Sequence, residues 1–262
     1  MKKLTTILAL ILILTLVVCS AVAETALERV KAAGKLVVGT ELLYPPYDYL
    51  DDNAQPAGCD MWLAQQIADG LGVELVVKDM AFDGIIPAVI SGQVDIGIAA
   101  FTMTPERALV IDFSHQYELS NQLLIVKKGN AELYSTKEAL AGLRVGAQTG
   151  TVQSQLVESA LPDSELFELQ TYPELGLETS NGNIAGFVVD QAVGESMMLA
   201  NTELEAANFT FTAEEASFGK AAIIKKDSED LVEAVNVVID QVVSDGTYQA
   251  AYDAAVEATS GK

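Results

Sequence analysis

Cations are scarce in this chain of 262 residues: 15 lysines and arginines stand against 37 aspartates and glutamates, for a formal net charge of −22. A surface this acidic repels phosphate backbones, which excludes nucleic acid as a partner. Histidine occurs once, at His115 in Asp-Phe-Ser-His. A multi-histidine metal centre is therefore ruled out, and no metal or cofactor is expected. No Walker loop and no G-x-G-x-x-G is present, so the sequence offers no nucleotide cradle. Ser217-Phe218-Gly219-Lys220 fits Ser-x-x-Lys but lies along a strand rather than opening a helix, and its companion motifs are missing; it reads as coincidence.

Long apolar runs are absent too. The longest, Ile7 to Val18, covers 12 residues and is too short to span a bilayer. Lys2 and Lys3 precede it and Ala21-Val22-Ala23 follows, which is the layout of a secretory leader (1–23) cleaved to leave a chain starting near Glu24. Losing Lys2 and Lys3 deepens the negative charge by two. Leu16-Val17-Val18-Cys19 faintly resembles a lipoprotein signal, with Val18 where a small residue is expected, so lipid attachment at Cys19 is the alternative. Either route places the protein outside the cytoplasmic membrane, in a periplasm or on a cell surface. Cleavage leaves Cys59 as the single cysteine, which excludes an intramolecular disulfide. Beside Gly58 at an apolar helix start, Cys59 reads as a small buried hydrophobe.

What remains alternates strand and helix. Helices are expected near 24–33, 60–71, 85–91, 152–159, 173–179, 227–244 and 247–258. Strands are expected near 35–39, 73–78, 94–99, 143–147, 163–170, 184–189 and 219–224. That order predicts parallel βαβ units in an α/β protein, repeated as two architectural halves. Candidate crossovers between the halves are Leu123 to Lys127 and Ala216 to Ile224. The organising stretch is Val94 to Arg107. A buried strand leads to Thr102 and Thr104; Thr104 suits an N-cap, Pro105 the first helical position and Glu106 the first turn. Arg107 then sits just past the carboxyl end of a strand, where open α/β sheets bind ligands. Its guanidinium beside a threonine hydroxyl suits a carboxylate held by two parallel hydrogen bonds. A surface Arg107 paired with Glu106 or Asp112 fits the local sequence equally well.

Taken together, K-L-V-V-G-T-E-L-L-Y-P-P-Y (35–47), F-D-G-I-I-P-A-V-I-S-G-Q-V-D-I (82–96), T-M-T-P-E-R (102–107), I-D-F-S (111–114), R-V-G-A-Q-T-G-T (144–151), D-G-T-Y-Q-A-A-Y (245–252) and the apolar strand ending in Asp190 resemble the extracytoplasmic solute-binding proteins of polar amino-acid ABC importers. They run in family order across nearly the whole mature chain. The resemblance implies a two-lobed periplasmic-binding-protein fold of type II. Each lobe would hold a mixed, mostly parallel sheet flanked by helices, with two crossover strands as hinge. Lobe 1 would be 24–124 plus 219–262, and lobe 2 would be 125–218. It further implies a monomer that captures an amino acid and delivers it to a membrane permease without chemistry of its own.

The same resemblance assigns roles. Arg107 would hold the α-carboxylate, assisted by Thr102 and the backbone of Thr151, and Asp190 would hold the α-ammonium, with the backbone at Ala100 also accepting from it. Tyr44 and Phe82 would wall the side chain, with Glu41 at the specificity end. Gln148 stands where some relatives carry a lysine. Elementary chemistry agrees, since a zwitterion taken out of water needs a cation and an anion opposite it. Each residue also has a plain structural alternative: Asp190 as a helix cap, Tyr44 and Phe82 as core aromatics, Glu41 as a solvated loop carboxylate. Glu41 favours a guest that donates hydrogen bonds, such as glutamine, a basic amino acid or cystine. The enzymatic alternative is a cyclohexadienyl or arogenate dehydratase-like protein on the same fold. Such enzymes carry a catalytic glutamate three residues after the aspartate matching Asp190; here that position is Val193, with Glu195 two further on.

Overall fold

A computed structural model describes residues 24–260. The leader, the cleavage site after Ala23 and Cys19 lie outside the described residues. Helix α1 (Ala26–Ala33) opens with a reciprocal cap between Thr25 and Glu28 and stops at left-handed Gly34. Strand β1 (Lys35–Thr40) follows, and then a small antiparallel sheet of β2 (Leu43–Tyr44), β3 (Asp48–Leu50) and β4 (Pro56–Ala57). The next elements are α2 (Cys59–Leu71), β5 (Glu74–Asp79), α3 (Phe82–Ser91) and β6 (Ile96–Gly97). A four-residue helix α4 (Pro105–Ala108) leads to β7 (Ile111–Phe113), β8 (Glu118–Ser120) and β9 (Gln122–Lys127).

The second half repeats the plan. After a 3-10 turn at Lys137–Leu140 come β10 (Arg144–Gln148), α5 (Val152–Ala160), β11 (Glu165–Leu169), α6 (Tyr172–Asn181) and β12 (Gly186–Asp190). Then follow α7 (Gln191–Ala200), β13 (Leu204–Ala206), α8 (Ala213–Ala216), β14 (Phe218–Lys220), β15 (Ile223–Lys225), α9 (Glu229–Ser244) and α10 (Thr247–Ser260). Among the described residues no helix is long and apolar enough to cross a membrane.

Two five-stranded sheets result, ordered β5-β1-β6-β15-β7 and β11-β10-β12-β9-β13. In each, the first three strands are parallel, with the earliest in the middle: β1 pairs with β5 and β6, and β10 with β11 and β12. The antiparallel strands come from outside each βαβαβ run. Strand β15 pairs with β6 and β7, and β9 pairs with β12 and β13. Helices cover the sheets because parallel strands buried on both faces are apolar throughout; Gly186 to Asp190 is buried at every position.

The chain passes between sheets through β8 and returns through β14, and these two strands pair antiparallel with Lys220 opposite Glu118. This differs from the expected first crossover. Leu123 to Lys127 lies within β9, inside the second sheet, and β9 runs through the expected 124/125 boundary. Its apolar run reflects burial between helices rather than a bridging role. The anchor strand is also shorter than 94–99: only Ile96 and Gly97 pair regularly before the backbone turns at Ala100, which has φ of +48°.

Gly58 fixes how the first lobe presents its binding loop. Its φ is +114°, and a Cβ there would stand 2.1 Å from the Tyr47 carbonyl oxygen. That close approach lets Cys59 and Asp60 donate their N–H groups to the carbonyls of Pro46 and Tyr47, pinning 44–48 to the start of α2. Cys59 is fully buried there, as its apolar setting predicts.

Candidate functional site

Between the sheets lies a cavity of about 20 Å³, lined by Glu41, Tyr44, Asp48, Phe82, Ala99, Ala100, Thr102, Arg107, Gln148, Thr151, Val152, Gln153 and Asp190. All nine residues singled out from the sequence are in this lining. Asp48, Ala99, Val152 and Gln153 are added by the fold. A space this size suits a water molecule rather than an amino acid, so the lobes are drawn together.

Arg107 is placed by its local sequence. Thr104 accepts from the Arg107 N–H at 3.2 Å, and Pro105 occupies the first turn of α4. The guanidinium donates to the carbonyl of Thr102 at 2.8 Å and, across the cleft, to that of Gly150 at 3.1 Å. Its Cζ lies 5.7 Å from the Phe82 ring centroid and 5.5 Å from that of Phe101, two rings that stack on each other. Burial lowers its pKa to about 10, so it stays charged at neutral pH. Among the described residues Arg107 pairs with no carboxylate. Asp112 is taken by Lys226, so the surface-pair alternative does not hold. Thr102 is buried beside Arg107.

Facing it, Asp190 ends β12. It stands at the N-cap position of α7 but makes no side-chain cap bond. Its Oδ1 accepts from Gln122 Nε2 at 2.6 Å, and Gln122 in turn accepts from Gln153 at 2.8 Å. Its Oδ2 accepts from the Tyr44 hydroxyl at 2.6 Å and lies 2.5 Å from Lys220 Nζ. Lys220 is the residue the sequence reading set aside. A lysine interrupting F-G-K-A-A-I-I was the available signal, because a cation in a buried strand needs a buried partner. Only the third dimension supplies that partner, 30 positions away.

Glu41 forms the other end. It is 5% exposed, which removes the solvated-loop reading, and accepts from Gln148 Nε2 at 2.7 Å across the cleft. Burial raises its pKa to about 7, with Asp79 and Asp83 adding to the effect and the Gln148 bond opposing it. Asp48 is fully buried, and burial together with its neighbour Asp60 pushes its carboxyl well above the usual range. Asp60 rises to about 7 through burial, despite accepting from the Ala100 N–H at 2.6 Å.

Tyr44 is both wall and donor: its ring centroid lies 5.1 Å from that of Tyr172 in the other lobe while its hydroxyl reaches Asp190. Thr151 caps α5, and its hydroxyl and N–H both turn to the Gln148 carbonyl, at 2.7 and 3.3 Å. His115 is an exposed residue 2.8 Å from Asp240 and stands outside the cavity lining.

A family model for bacterial extracellular solute-binding proteins, family 3, matches residues 36–257. The chain is 31% identical over 245 residues to the L-cystine-binding protein TcyJ of Escherichia coli (strain K12), spanning 93% of this chain and 91% of that protein. The structure resembles that of AbpA, an amino acid ABC transporter substrate-binding protein from Streptococcus pneumoniae bound to L-arginine. There the TM-score is 0.86 at 32% identity, over 90% of this chain and all of that one. It is also similar to AncCDT-1, an ancestral amino-acid-binding protein and precursor of cyclohexadienyl dehydratase. That match has a TM-score of 0.80 at 31% identity, over 88% of this chain and 99% of that one.

Proposed function

Because the chain belongs to the bacterial extracellular solute-binding proteins, family 3, we propose that it captures a polar L-amino acid between its two lobes and delivers it to a membrane ABC permease. The observation that carries this reading is Arg107: a half-buried guanidinium in the cavity wall, satisfied by two carbonyls and, among the described residues, by no carboxylate. A guest carboxylate takes the place of the Gly150 carbonyl and receives two ion-paired bonds in place of one to a neutral acceptor. Asp190 and the carbonyl of Ala100 are the acceptors for the α-ammonium. Tyr44 and Phe82 flank the guest, and Glu41 with Gln148 reads the end of its side chain. The hydrogen bonds that bridge the cleft in this form include Arg107 to Gly150, Gln148 to Glu41, and Tyr44 to Asp190, and the Tyr44 ring also meets that of Tyr172. Opening must break these contacts, about a hinge at β8 and β14.

Amino-acid names on relatives support glutamine, a basic amino acid or cystine as the guest, and Glu41 fits a donor side chain in each case. Against the dehydratase reading, Val193 is fully buried, and Glu195 is exposed on α7, accepting from Gln191. Neither residue is in the cavity lining. Thermal shift against the common amino acids tests the proposal, since a ligand that binds only the folded form raises the midpoint. A rise with one of them supports capture. No rise with any, together with turnover of arogenate or prephenate, replaces it with the enzyme.

A further inference from the structure

Both carboxylate oxygens of Asp190 accept hydrogen bonds from within the protein. Its two oxygens accept from Tyr44, Gln122 and Lys220, and the Lys220 and Asp190 side chains are 1% and 2% exposed. Lys220 is not free to withdraw. It lies on β14 opposite Glu118, its carbonyl accepts from Tyr117 N–H at 3.0 Å, and its ammonium sits 5.8 Å from the Tyr47 ring centroid. Among the described residues it is the only buried lysine.

A buried carboxylate that waits for a ligand ammonium rejects an analogue lacking that group by about 10⁴-fold or more, because the carboxylate is then left unpaired. Here that penalty is removed in advance. We propose that Lys220 is a specificity-determining residue of the α-amino subsite: a tethered ammonium that keeps Asp190 paired, so the cleft takes a carboxylate solute with or without an α-amino group. The inference rests on the amino-acid reading of the site and refines its solute class. Arg107 and the Glu41–Gln148 end are common to both kinds of solute. The α-ammonium adds one hydrogen bond to an already neutralised pair, worth about tenfold.

The test compares L-arginine with delta-guanidinovaleric acid, L-glutamine with glutaramic acid, and L-cystine with the mixed disulfide of L-cysteine and 3-mercaptopropionic acid. Each pair differs by a single α-amino group. Thermal shift selects the pair that binds, and calorimetry gives both dissociation constants. In the wild-type chain a ratio below about thirtyfold is expected; a larger ratio overturns the inference. In Lys220→Met, which uncovers Asp190, the ratio should widen at least tenfold over wild type, and an unchanged ratio also overturns it. Should Lys220→Met fail to fold, the wild-type ratio decides alone. Binding of amino acids with rejection of their partners defeats only this inference, whereas no binding by any of the six defeats the amino-acid reading itself.

Discussion

Replacing Arg107 with alanine is the sharpest test of the proposed carboxylate grip, and its size follows from the contacts. Two charge-assisted bonds to a guest carboxylate are worth about 1.5–3 kcal/mol each. The lower end applies, because the guanidinium already donates to the carbonyls of Thr102 and Gly150 and part of the gain is an exchange. About 3 kcal/mol corresponds to a dissociation constant raised about 10²-fold at 25 °C. Arg107→Lys keeps the charge and loses the fork, so it should fall between, near tenfold. Loss of fold is a separate question with its own readout. Stacked against Phe82 and Phe101, the guanidinium contributes about 1 kcal/mol to the empty protein, or roughly 2–4 °C in its midpoint. Titration calorimetry with the amino acid that stabilises wild type, alongside a thermal melt of each empty variant, separates the two effects. An Arg107→Ala protein that folds and binds within threefold of wild type would refute the assignment of the carboxylate to this residue.

Further outcomes follow from the buried charges and the loop geometry. Glu41 has a folded-state pKa of about 7 against an ordinary 4.5, so its contribution is fully present below pH 4.5 and lost as pH rises through 7. Glu41→Gln should therefore stabilise the empty protein at pH 8 by about 2–3 kcal/mol while changing little at pH 4, measured by urea unfolding at both values. Asp190→Asn leaves the Lys220 ammonium buried without its anion and should cost about 3–5 kcal/mol; adding Lys220→Met to it should recover part of the loss in a double-mutant cycle. Gly58→Ala forces a Cβ to 2.1 Å from the Tyr47 carbonyl at a φ of +114°, and should lower the midpoint by several degrees and weaken ligand binding, since 44–48 must shift.

Much of the site was legible in order along the chain. Threonine at 104 and proline at 105 set α4 and hence Arg107; the two prolines at 45 and 46 fixed the loop carrying Tyr44; glycine at 150 and threonine at 151 opened α5. Each is a local signal, and the residues it positions line the cavity. Strand extents were less legible. The apolar run in β9 reads as a bridge or as a core strand with equal ease, because burial between helices and burial in a hinge ask for the same residues.

By itself, then, the sequence determined the two βαβαβ units, their capped helices and the loop positions from which the binding residues project, since these depend on neighbours within a few positions. Only the tertiary structure decided which charges meet. Lys220, unremarkable as one cation in an apolar strand, becomes the partner of Asp190 when β14 brings it to the carboxylate at the end of β12, and Glu41 rises toward neutrality because the fold removes it from water, against the opposing bond from Gln148. Coulomb energy and desolvation are set by distance and burial, and neither quantity exists until chain segments far apart in sequence have been brought together.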